Sequence, residues 1–150
     1  MNEATGNLWT FPAEIRVITT NLFVKRNGEA VMGRGCAREA AQRWPHMPAL
    51  LGRAILDGGV STTDLGTWSD EHIVAMPVKH NWWKPADLSL IEHSAQDLAD
   101  LTTLRKWSTV VLPRPGCGNG QLSWRDVEPV LRNILDNRFT VITFAKGDLP

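Results

Sequence analysis

Thr109-Val110-Val111-Leu112-Pro113-Arg114-Pro115-Gly116-Cys117-Gly118-Asn119-Gly120-Gln121-Leu122 opens as a β-branched, apolar run, halts at a proline and breaks into glycine. Residues 109–112 read as a short buried strand, and the prolines and glycines that follow read as a loop. Beyond the loop, Val127, Val130, Leu131 and Ile134 keep helical spacing. An Asp126 cap would put Pro129 in the first turn of that helix, where its missing N–H costs little. A strand that runs through a loop into a helix is the unit from which α/β folds are assembled.

The same unit recurs on either side. Residues 14–20 (EIRVITT), 72–76 (HIVAM) and 139–144 (FTVITF) are strand-like, and residues 60–68 are a weaker candidate. A helix is expected over residues 35–44, where Ala37, Ala40, Ala41 and Trp44 share a small, close-packing face and Pro45 stops the run. Another spans residues 87–104, with Leu88, Ile91, Ala95, Leu98 and Leu101 as its stripe and Asp87 as its cap. A shorter helix fits residues 48–56. Strands separated by helices predict a central mixed or parallel sheet covered on both faces, a three-layer α/β/α sandwich.

Length and composition narrow the function classes. The 150 residues fit one domain, spanning 1–150, with no room for a second. Lys plus Arg equals Asp plus Glu at 16 each, so no overall field draws the chain to nucleic acid or to an anionic membrane, and any such contact must be local. The first eight residues lack the basic and apolar regions of a secretory signal, no run reaches membrane-spanning length, and the two cysteines lack CxxC spacing; these features predict a cytoplasmic protein with no membrane partner. His46, His72, His80 and His93 are scattered without ligand spacing, so no metal and no cofactor is expected.

In open α/β sheets, ligands sit beyond the carboxyl ends of strands, so the loops there carry the chemistry. The first runs from Asn21 to Met32-Gly33-Arg34-Gly35-Cys36-Ala37, where the small-faced helix begins; the second is the stretch quoted above. Unpaired N–H groups at a helix start make an anion site without a lysine. One helix end is worth only about 0.3–1 kcal/mol, whereas micromolar affinity needs about 8 kcal/mol. Two such loops on neighbouring strands would instead clasp a diphosphate from both sides. Either loop alone reads more readily as plain turn chemistry than as a ligand site. Neither fits the dinucleotide fingerprint, and no GK[ST] ends a phosphate loop.

Together these residues resemble the macrodomain family, which binds ADP-ribose in a cleft on a mixed sheet. Gly6-Asn7-Leu8 is similar to the family's early GD[IL] block, Asn21 with residues 32–37 to its N…MGxGxA loop, and residues 113–122 to its PxxGxGxxxL loop. The MGRGCA form, Pro77-Val78-Lys79-His80 and Leu122-Ser123-Trp124 look most like one branch, that of the terminal ADP-ribose protein glycohydrolase and of antitoxins that strip ADP-ribose from DNA. The resemblance implies an ADP-ribose ligand, with Asn7 and Leu8 at the adenine end. Gly33, Arg34, Gly35 and Ala37 would line the phosphates, Pro115, Gly116, Cys117, Gly118, Asn119, Gly120 and Gln121 would cover diphosphate and distal ribose, and Asn21 would face that ribose. At position 7 family members carry Asp; an amide oxygen still accepts from the adenine amine, though more weakly than a carboxylate.

The resemblance also singles out Lys79, which matches the lysine that the branch uses at the anomeric carbon of the distal ribose. An isolated lysine would otherwise be read as a surface residue. With an ordinary pKa near 10.4 it is protonated at neutral pH; burial would free the amine to attack, while the charged form would stabilise a departing group. The protein glycohydrolase pairs this lysine with an Asp where Gly120 stands here, and the DNA-directed antitoxins carry glycine there. The implied activity is removal of ADP-ribose from a macromolecule, DNA or protein, by a monomer. A non-catalytic ADP-ribose reader and an ADP-ribose 1''-phosphate phosphatase are the alternatives. Trp82 and Trp83 offer base stacking, although core packing is expected for at least one; the basic turn Lys25-Arg26-Asn27-Gly28 is placed to touch a nucleic-acid backbone, although a hairpin turn whose charges stay in water is the favoured reading. Cys36 and Cys117 read as small buried residues rather than nucleophiles.

Overall fold

The computed structural model describes residues 1–144. Its elements in chain order are β1 (Asn2–Thr5), β2 (Ile15–Asn21), α1 (Gly35–Arg43), α2 (Met47–Gly58), β3 (Thr63–Trp68), β4 (Glu71–Lys79), α3 (Leu88–Arg105), β5 (Val110–Pro113), α4 (Trp124–Arg132) and β6 (Phe139–Thr143). They build one mixed sheet in the order β1-β6-β5-β2-β4-β3. All neighbours are parallel except β3 and β4. That antiparallel pair turns through Ser69 and Asp70, both at positive φ (50° and 67°), as a tight hairpin requires.

Alternation along the strands separates two cores. Ile15, Val17, Val74, Met76, Val110, Leu112, Phe139 and Val141 face Ile91 and Leu98 of α3 and Val127 and Leu131 of α4. Ile18, Ile73, Ala75, Val111 and Ile142 face Ala37 and Ala40 of α1 and Met47 and Leu51 of α2. The sandwich expected from the alternation is the observed one. The buried face of α1 is made of small residues, Cys36, Ala37 and Ala40, which pack in this second core.

Three details differ from the sequence reading. β1 is a strand although Asn-Glu-Ala-Thr carries no strand pattern; it gains its hydrogen bonds as a short polar edge alongside β6, from Asn2↔Thr140 to Thr5↔Thr143. The cap of α4 is Ser123, whose side chain accepts from the Arg125 N–H, so the helix starts earlier and Pro129 lies inside it rather than in its first turn. β4 extends beyond residue 76 through Pro77 to Lys79, since pairing with β2 outweighs the proline's missing donor. Asp87 caps α3 as expected, accepting from the Ser89 N–H. No helix among the described residues is long and apolar enough to cross a membrane.

Candidate functional site

The parallel strands β2, β4 and β5 end on one edge of the sheet, and there a cavity of about 1030 Å³ opens between the loops that follow them. Lys25, Arg34, Lys79 and Arg114 line it against a single carboxylate among the described residues, Glu39. That carboxylate is itself engaged, accepting from Trp9 Nε1 at 2.6 Å. A chain with no net charge thus concentrates cations at one cleft, the field an anionic ligand needs.

One wall is the start of α1. Its N-cap, Arg34, is extended and provides no side-chain hydrogen bond, and the first turn holds no acidic residue. Gly35, Cys36 and Ala37 line the cavity, and their N–H groups have no backbone acceptor among the described residues. The opposite wall is residues 113–122. Here Cys117 N–H donates to Arg114 O, Gln121 N–H to Gly118 O and Leu122 N–H to Gly116 O, which curls the chain and leaves the N–H groups of Gly118, Asn119 and Gly120 free of protein acceptors among the described residues. The walls nearly meet: the Asn119 side chain comes within 3.3 Å of where a Cβ on Gly35 would stand. Arg114 lies 4.8 Å over the Trp124 ring, with its buried Nε lacking a protein partner.

Lys79 and Asn21 close the cavity between these walls. The register places them opposite each other at the ends of β4 and β2, after a bulge that admits one extra β4 residue. Asn21 is held by its own side chain, whose Nδ2 donates to Val31 O and whose Oδ1 accepts from the Phe23 N–H. Lys79 has no ion-pair partner among the described residues. Burial, and then the nearby Arg34 guanidinium, hold its amine below the ordinary lysine value.

Of the residues singled out in the sequence, Asn21, Lys79, Gly33, Arg34, Gly35 and Ala37 line the cavity, as do Gly116, Cys117, Gly118, Asn119 and Gly120. Asn7, Leu8, Pro115 and Gln121 are not part of that lining. Asn7 Oδ1 accepts from the Trp9 N–H, Leu8 is fully buried, Pro115 is buried in the turn, and Gln121 takes a left-handed φ of 66°. Sequence reasoning missed Thr19, Phe23 and Glu39; only Glu39, four residues after Gly35 and thus on the same helix face, carried a usable signal. Burial raises both thiols above the ordinary cysteine value, so Cys36 and Cys117 stay protonated and weakly nucleophilic. The tryptophans correct an expectation: Trp82 and Trp83 are both exposed, and neither packs in the core. No group of three or more metal-ligating side chains occurs among the described residues.

No family model matches the chain. A DNA ADP-ribosyl glycohydrolase of Mycobacterium tuberculosis is 32% identical over 120 residues, covering 76% of this chain and 34% of the relative. The chain thus spans about a third of the length of that curated relative. Among solved structures, the macrodomain of Mycobacterium tuberculosis DarG superposes with a TM-score of 0.76 at 28% identity, covering 94% of this chain and 95% of that one. The macrodomain of Thermus aquaticus DarG gives 0.77 at 26%, with 96% and 97% covered.

Proposed function

The chain belongs to the macrodomain family, and from that premise we propose that it hydrolyses the bond between ADP-ribose and a DNA base. The walls of free amide N–H groups suit the diphosphate, and the site lies where an α/β sheet binds ligands. One observation carries the catalytic part. Lys79, with a lowered pKa and no ion-pair partner among the described residues, lines the cavity beside Asn21 and between the two loop walls. A larger neutral fraction lets the amine attack the anomeric carbon of the distal ribose as the base leaves with its bonding electron pair and takes up a proton; water then frees the lysine.

Gly120 supports the DNA reading over the protein one. A Cβ there would lie 2.5 Å from Gly116 O and 2.8 Å from the Ala86 Cβ, so this loop excludes the acid that a protein glycohydrolase pairs with its lysine.

The test offers ADP-ribosylated DNA and ADP-ribosylated protein side by side and measures free ADP-ribose. Wild type is expected to act on the DNA, and Lys79→Ala to lose at least about 100-fold in kcat, the scale of removing one preorganised catalytic group. Lys79→Arg keeps the charge without a neutral amine, so nucleophilic attack predicts that it stays inactive. No release from DNA by the wild type would refute the reading.

A further inference from the structure

At the rim of the cavity two tryptophans remain without a role. Trp82 and Trp83 keep 49% and 54% of their surface in solvent, whereas Trp9, Trp44 and Trp107 are all buried. Adjacent large aromatics left in water mark a contact surface more often than a packing accident. These rings are also fixed. Their centroids lie 5.4 Å apart at 84°, and Trp83 meets Phe23 edge-on at 5.3 Å, which joins the turn after β4 to residues 22–31. That second segment is pinned by the Val24↔Ala30 bridge and by the Ala30 N–H donating to Pro48 O.

The charges around the rings have one sign available. Lys25, Arg26 and Lys84 are exposed and form no ion pair among the described residues. The carboxylates in these segments are engaged: Glu29 accepts from the Asn27 side chain, and Asp87 caps α3 while meeting His80 at 2.9 Å. Phe23, Lys25 and Trp82 also line the cavity itself, so rim and cleft are continuous. Half-exposed indole rings beside cations that form no ion pair among the described residues match a single-stranded nucleic acid, which offers bare base faces and phosphates together; a duplex keeps its base faces stacked.

We propose that Trp82, braced by Trp83 and Phe23, is a nucleobase subsite that stacks the unpaired base next to the modified nucleotide, while Lys25, Arg26 and Lys84 hold the adjoining phosphates. The inference rests on the cavity taking base-linked ADP-ribose. It places strand selectivity on the rim and bond cleavage in the cleft.

The test uses an unmodified, fluorophore-labelled single-stranded dodecamer and the matching duplex, titrated by anisotropy with the cavity saturated by free ADP-ribose. The single strand is expected to bind at least roughly 10-fold tighter than the duplex, Trp82→Ala to weaken it roughly 5- to 100-fold, and Trp82→Phe to recover most of that. Calorimetry with ADP-ribose on the same variants must show a smaller loss than the oligonucleotide does. Equal affinity for the duplex, no binding of the single strand, or equal losses for both ligands would each overturn the subsite. Because the DNA is unmodified, this outcome is independent of whether ADP-ribose is released, which tests the cleavage reading by itself.

Discussion

At Gly33, on the wall formed by the start of α1, an added Cβ would meet nothing within 4 Å, whereas at Gly120, on the wall after β5, it would collide with the Gly116 backbone. Gly116 is equally confined: it adopts a φ of 74°, and a Cβ would sit 2.7 Å from Ile91 and 2.9 Å from Ala86. The same residue type therefore serves two ends. At Gly116 and Gly120 the missing side chain lets the second wall pack against α3 and the segment before it; at Gly33 the space around the backbone is open. The helix starts differ in the same way, since Asp87 satisfies the first turn of α3 while the first turn of α1 is left open to the cavity.

Breaking the second wall should have the largest effect. Gly120→Asp forces a side chain into closed backbone and is expected to cost about 3 kcal/mol, the upper end of overpacking, read as a lower denaturant midpoint. An unchanged midpoint would mean the loop can rearrange. On the first wall, Gly33→Ala should leave stability within about 0.5 kcal/mol yet weaken ADP-ribose binding roughly 10-fold, about 1.4 kcal/mol, by calorimetry. Loss of stability instead of affinity would erase the contrast between the walls.

The smallest effect sharpens the comparison of helix starts. Asp87→Ala should cost about 1 kcal/mol of stability at neutral pH. The hydrogen bond with His80, followed by those from backbone N–H groups, holds this carboxyl below its ordinary value of 3.8 despite slight burial acting the other way. Its contribution is thus fully present above pH 3.8 and lost as the pH falls through the lower folded value, so wild type and variant should converge in acid. Parallel acid-unfolding curves that never converge would show that the cap acts without its charge.

Local patterning made much of this protein legible. Breaker residues and the two periodicities marked the principal strands and helices, and both glycine loops were visible as loops that follow strands. The polar edge strand Asn2–Thr5 was not, because its hydrogen bonds come from a partner more than a hundred positions away, and the Ser123 cap lost out to a plausible Asp three residues later.

What the chain determined alone was the alternation of elements and the chemistry available in its loops, since hydrophobic period, proline and glycine act within a few residues. Only the tertiary structure decided that Asn21 faces Lys79 across a bulged register, that Asn7 and Leu8 lie outside the cavity lining, and that Trp82 and Trp83 stay in solvent. Register and exposure depend on which distant strands and helices pack together, and no local preference encodes that.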